Sequence, residues 1–142
     1  MGPEVNLAKE KKWLQDLAQK ARAVYLVRGV LGCGCPEEIF EHYQVRQQTV
    51  GPFPVVELIM GDRLLVWIVD GTRIVDPEQT LGQLLKSGLE ERERRGLNRF
   101  RLVTVGDFPS WERKWAHLAG DLDPKVHLHI LREIHPHKPA KP

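Results

Sequence analysis

The chain's only two cysteines sit one residue apart, in the stretch GVLGCGCPEEIF at residues 29–40. Two thiolates at that spacing can grip one metal ion, because the intervening Gly34 lets the backbone bend the sulfurs together. Cys33 and Cys35 can instead close a disulfide over that glycine. Such a tight ring is strained and reducible, and it suits a redox role better than a structural one. Cys35 also precedes Pro36-Glu37-Glu38, the composition of a helix start. A helix N-terminus there would stabilise its thiolate, while the two glutamates oppose that effect. The plainest reading treats both cysteines as small buried hydrophobes at an ordinary helix start.

A second pair with metal-ligand chemistry is His127-Leu128-His129, in the stretch KVHLHIL. On a strand, residues i and i+2 point to the same side, so the imidazoles form a two-nitrogen clamp. Cys33, Cys35, His127 and His129 together make a Cys2His2 set, which suits tetrahedral zinc. The two motifs are about ninety residues apart and lack zinc-finger spacing. A joint site requires the fold to set the cysteine loop beside the last strand. Cu(I) on the two thiolates and an iron–sulfur cluster rank below zinc. His135 and His137 form a further His-x-His in the tail, where they can chelate metal adventitiously.

The expected function is therefore that of a small metal-binding protein, with zinc the preferred ion. The alternatives are a thiol redox or sulfur-carrying protein using Cys33 and Cys35, and a non-catalytic interaction module that pairs with a second copy. No reaction or substrate is legible. Gly-x-Ser-x-Gly, Gly-x-Gly-x-x-Gly and the phosphate loop are all absent. The element order resembles a broad class of metal-dependent nucleases. That class needs an acidic residue and then Glu-x-Lys on the next strand, whereas Glu57 is followed by Leu58 and Ile59, so the reading is set aside.

Two charged residues fall inside predicted strands and need partners. Glu57 lies in PVVELIM and Arg101 in NRFRLVTV, and an ion pair between them, buried or half-buried, is the expectation. The run EERERRGLNRFR holds five arginines, but three glutamates interleave with them, as on a solvated helix face. Nucleic acid is accordingly not an expected partner. Trp111 and Trp115, spaced i, i+4, are expected to pack in the core.

These residues must be positioned by a small number of elements. A first helix spans about 6–28, capped by Asn6, with Leu14, Leu17, Ala18, Ala21 and Tyr25 as its apolar stripe. A short helix capped by Cys35 follows to about His42. YQVRQQTV is a strand. PVVELIM and RLLVWIVD flank Gly61-Asp62, which predicts a hairpin with a two-residue turn and Glu57 opposite Val66. In that register Glu57 shares a face with Val55, Ile59, Leu64 and Ile68. Asp76 and Pro77 open another helix that Gly96 stops, with Gly82 and Gly88 as weak points. Strand, helix and strand complete the order. The result is an α+β or α/β domain over 1–134, with a mixed sheet of about five strands: an antiparallel meander and two helix-connected strands. Residues 135–142, rich in proline and histidine, are expected to be a disordered tail.

The bulk properties fit this. The chain has 142 residues, 42% of them hydrophobic and 28% charged, with a net charge of +2. That charge is too small to argue for nucleic acid or a membrane surface. No run is long enough to span a bilayer, the N-terminus lacks an apolar signal core, and a cytoplasmic location is expected.

Overall fold

The computed structural model describes residues 7–134. One sheet of five strands runs in the order β1 (Tyr43–Val50), β2 (Phe53–Met60), β3 (Leu64–Asp70), β4 (Arg99–Val105), β5 (Val126–Leu131). The first two pairings are antiparallel and the last two parallel, the mixed α+β sheet expected from the element order. Each parallel step requires a crossover, made by α3 (Pro77–Arg95) and by α4 (Trp111–Leu122).

Helices cover both faces, and the strands show it. Every residue of β3 is buried, as its continuous run LLVWIV demands of a strand covered on both sides. On one face Leu58, Met60, Val66, Ile68 and Val103 pack with Trp13, Leu17, Leu26 and Val27 of the N-terminal segment. On the other, Leu65, Trp67, Phe100 and Leu102 pack with Leu81, Leu84 and Leu85 of α3 and with Ala119 of α4.

The N-terminal segment departs from a single helix. It is α1 (Ala8–Leu17), a break, then α2 (Lys20–Val24), running on into a π-helical turn at Tyr25–Val30. The break rotates the stripe, so Ala18 and Ala21 are exposed while Trp13, Ala23, Leu26 and Val27 are buried. The expected cap, Asn6, lies outside the described residues. The predicted short helix after Cys35 is a 3-10 segment, Glu37–Glu41, with Pro36 at its cap position. Its five residues allow little more than one helical turn.

The α3 helix follows its sequence signals closely. The Asp76 carboxylate accepts from the Gln79 amide at 3.3 Å, Pro77 occupies the first turn, and Gly96 closes the helix at φ 67°. Gly88 does not break it. A β-carbon there would lie 2.0 Å from the Phe100 ring, so the glycine lets α3 sit directly on β4.

The β2–β3 hairpin corrects the expected register. Met60 pairs with Leu64, which leaves a three-residue connection, Gly61 to Arg63, with Gly61 at φ 57°. One extra loop residue moves every partner by one. Glu57 therefore faces Trp67 instead of Val66, and it keeps Val55 and Ile59 as same-face neighbours but not Leu64 or Ile68.

Candidate functional site

Cys33 and Cys35 are joined as a disulfide, with α-carbons 5.3 Å apart. Both are buried, at 6% and 2% exposure, against the core on the α1–α2 side of the sheet. The loop that carries them follows the π-helical turn, and the Cys33 amide donates to the Val27 carbonyl at 3.0 Å. Gly32 and Gly34 are exposed, and nothing lies within 4 Å of where either would carry a β-carbon. The loop thus presents glycine backbone to solvent on either side of Cys33, while both cysteines themselves are buried.

Two arginines bracket the loop. Arg28 Nη2 donates to the Cys35 carbonyl at 2.9 Å, and its guanidinium lies 5.5 Å over the Phe40 ring. Arg101 Nη1, reaching from β4, donates to the Leu31 carbonyl at 2.9 Å. The same nitrogen is 2.8 Å from His129 Nε2. Arginine has no acceptor atom, so Nε2 accepts and the imidazole proton resides on Nδ1. Burial, then Arg101 and His127, hold the His129 pKa down to about 4. Burial, then Arg101 and Arg99, also lower His127.

The sheet register accounts for this grouping. Arg101 pairs with His127 and Val103 with His129 across β4–β5. Strand alternation sends His127 and His129 to the face on which the cysteine loop packs, while Val126 and Leu128 enter the opposite core. The two motifs are thus on one side of the sheet, as a joint site requires. The Cys2His2 set itself is not assembled. Among the described residues no three His, Cys, Asp or Glu side chains converge as a metal-binding group. The physical reason is visible in the contacts: the sulfurs are bonded to each other, and the Arg101 guanidinium occupies the His129 Nε2 lone pair. His135 and His137 lie outside the described residues.

The Glu57–Arg101 pair is not formed. Glu57 lies on the α3 face of the sheet and Arg101 on the other, because Glu57 is in register with Trp67 and Arg101 with Val66. Glu57, fully buried, accepts from Arg46 Nε at 2.7 Å, from Trp67 Nε1 at 2.8 Å and from Gln48, with Arg95 at 3.8 Å. The carboxylate is held by donors from β1, β3 and α3, and it ties the hairpin to the helix.

Sequence reasoning missed a second buried polar cluster, at the carboxyl end of β3. Asp70 accepts from the Thr72 amide and hydroxyl at 3.0 and 2.7 Å and from Lys9 at 3.3 Å. Arg73 lies 3.7 Å from Asp70 and 3.5 Å from Glu10, which is fully buried on α1. Glu10 sits in a lysine-rich helical stretch that reads as solvated. Its helical spacing from Trp13, Leu14 and Leu17 puts it on the inward face of α1. Arg92, placed on a solvated face by its neighbours, is 5% exposed and bridges Glu93 and Asp123 at 2.6 and 2.9 Å. Trp111 and Trp115 are half-buried at the edge of the second core, and Trp111 stacks on Phe108 at 4.0 Å between ring centroids.

No helix among the described residues is long and apolar enough to cross a membrane. Comparison of the chain with protein-family models, with curated proteins and with solved structures returns no match.

Proposed function

We propose that the protein is a dithiol–disulfide protein in which Cys33 and Cys35 exchange electrons with an external thiol. The observation that carries this reading is the Cys33–Cys35 disulfide itself, closed over one exposed glycine. A partner thiolate attacks one sulfur and the S–S bond breaks. The electron pair leaves on the other sulfur as a thiolate, and a second partner thiol displaces the first as its disulfide. The protein gains two electrons and two protons, and two partner thiols become one disulfide. Closing so short a loop removes little chain entropy from the unfolded state, so little folding energy opposes reduction. The cation Arg28, which donates to the Cys35 carbonyl, favours the leaving thiolate.

Zinc on Cys33, Cys35, His127 and His129 is the competing expectation, and it requires the reduced form with Arg101 withdrawn from His129. Acid-quenched alkylation with mass spectrometry, alongside elemental analysis, separates the two. His135→Ala/His137→Ala protein removes the tail chelator. The redox reading expects alkylation at both cysteines only after reductant, with recovery of the disulfide on adding an oxidised thiol. Two free thiols that no oxidised thiol can close overturn it. About one zinc per chain, lost in both Cys33→Ser/Cys35→Ser and His127→Ala/His129→Ala, moves the assignment to a metal site.

A further inference from the structure

Arg101 is a buried cation with no anion beside it among the described residues. The other buried charges are neutralised: Arg92 by Asp123 and Glu93, Glu57 by Arg46, Asp70 by Lys9, Glu10 by Arg73, and Asp16 by Arg22. Arg101, at 7% exposure, has as its hydrogen-bond partners among the described residues a carbonyl and a neutral imidazole, and its buried Nε has none among them. Among the described residues no carboxylate lies within ion-pair distance of it. Arg99, of the same sign, acts on it electrostatically, and His127 faces it across β4–β5. A guanidinium left in this state loses hydration without the compensation that buried charges require. The missing partner is an anion, and the position is tied through the Leu31 carbonyl to the loop that carries the disulfide.

We propose that Arg101, with Arg99 and His127, receives the oxyanion group of the small thiol that exchanges with Cys33–Cys35. The inference rests on the redox reading above. It narrows the partner to a low-molecular-weight thiol bearing a sulfonate, carboxylate or phosphate. Arg101 is a binding residue here, and the exchange at sulfur is carried by the two cysteines alone.

The test compares reduction of the full-length protein by 2-mercaptoethanesulfonate and by neutral 2-mercaptoethanol, each scaled to its rate on an uncharged small disulfide. The expected result is a preference for the sulfonate of about tenfold or more, weakened by salt. Arg101→Gln abolishes the preference, read as the ratio of the two thiols' rates, while Arg94→Gln, an exposed control, keeps it. Exchange with both thiols and no charge preference overturns the inference and leaves the redox reading standing. Exchange with neither overturns the redox reading alone. The anion position is then judged by titrating ethanesulfonate against the His127 and His129 ring resonances. A saturable shift in the wild type, absent in Arg101→Gln, upholds it, and the absence of a saturable shift in the wild type removes it. Should Arg101→Gln fail to fold, Arg101→Lys and the wild-type titration decide.

Discussion

Arg101 donates to His129 across β4–β5 at 2.8 Å, and burial together with this permanent cation holds the half-buried imidazole neutral. The histidine that the sequence offers as a metal ligand is an acceptor for arginine in the folded chain. This has a consequence for pH. The folded His129 pKa is about 4, below its ordinary value of 6.5. Between those values the unfolded chain binds the extra proton, so the contribution of this residue is fully present above about 6.5 and is lost as pH falls to 4. Unfolding free energy is expected to drop by up to about 1.4 kcal/mol per pH unit in that window from His129. Urea titrations at several pH values check it, with His129→Gln showing the smaller slope.

The same contact predicts a spectroscopic shift. Removing Arg101 takes away a positive neighbour, so the His129 pKa rises in Arg101→Gln toward its ordinary value. Proton NMR of the imidazole C–H signals against pH reads this directly. An unchanged His129 titration in a folded variant would show that Arg101 does not act on it.

Glu57 should couple to Arg46 and not to Arg101. Glu57→Ala strips a buried carboxylate from donors on β1 and β3 and is expected to cost about 1–3 kcal/mol, chiefly because the buried Trp67 Nε1–H loses its acceptor while Arg46 can reach water. A double-mutant cycle with Arg46→Gln should give a clear interaction energy, and one with Arg101→Gln should be additive within about 0.5 kcal/mol, since the two side chains occupy opposite faces. Trp67 fluorescence reports the same site, because the indole loses its acceptor.

Two glycines of one helix should respond with opposite signs. Gly82→Ala meets nothing within 4 Å and gains helix propensity, so stability rises by up to about 1 kcal/mol. Gly88→Ala drives a methyl group into the Phe100 ring, and overpacking costs about 1–3 kcal/mol against the same gain in propensity. Thermal unfolding of the two variants side by side suffices. Equal responses would mean that α3 does not rest on β4 as described.

The sequence by itself determined the local elements whose signals lie within a few residues. The Asp76-Pro77 start and Gly96 stop of α3 are read from capping chemistry, and β3 from an apolar run. Alternation placed His127 and His129 on one side of β5, and spacing marked Cys33 and Cys35 as the pair with chemistry. The tertiary structure decided what those residues meet. One added residue in the Gly61–Arg63 connection changed the partners of Glu57, because strand periodicity is two and a single-residue shift exchanges the faces. The break after Leu17 left Ala18 and Ala21 exposed and turned Ala23, Leu26 and Val27 inward. Parallel pairing of β4 with β5 put Arg101 between the cysteine loop and His129. Register and inter-strand pairing depend on residues distant in the chain, and no local pattern carries them.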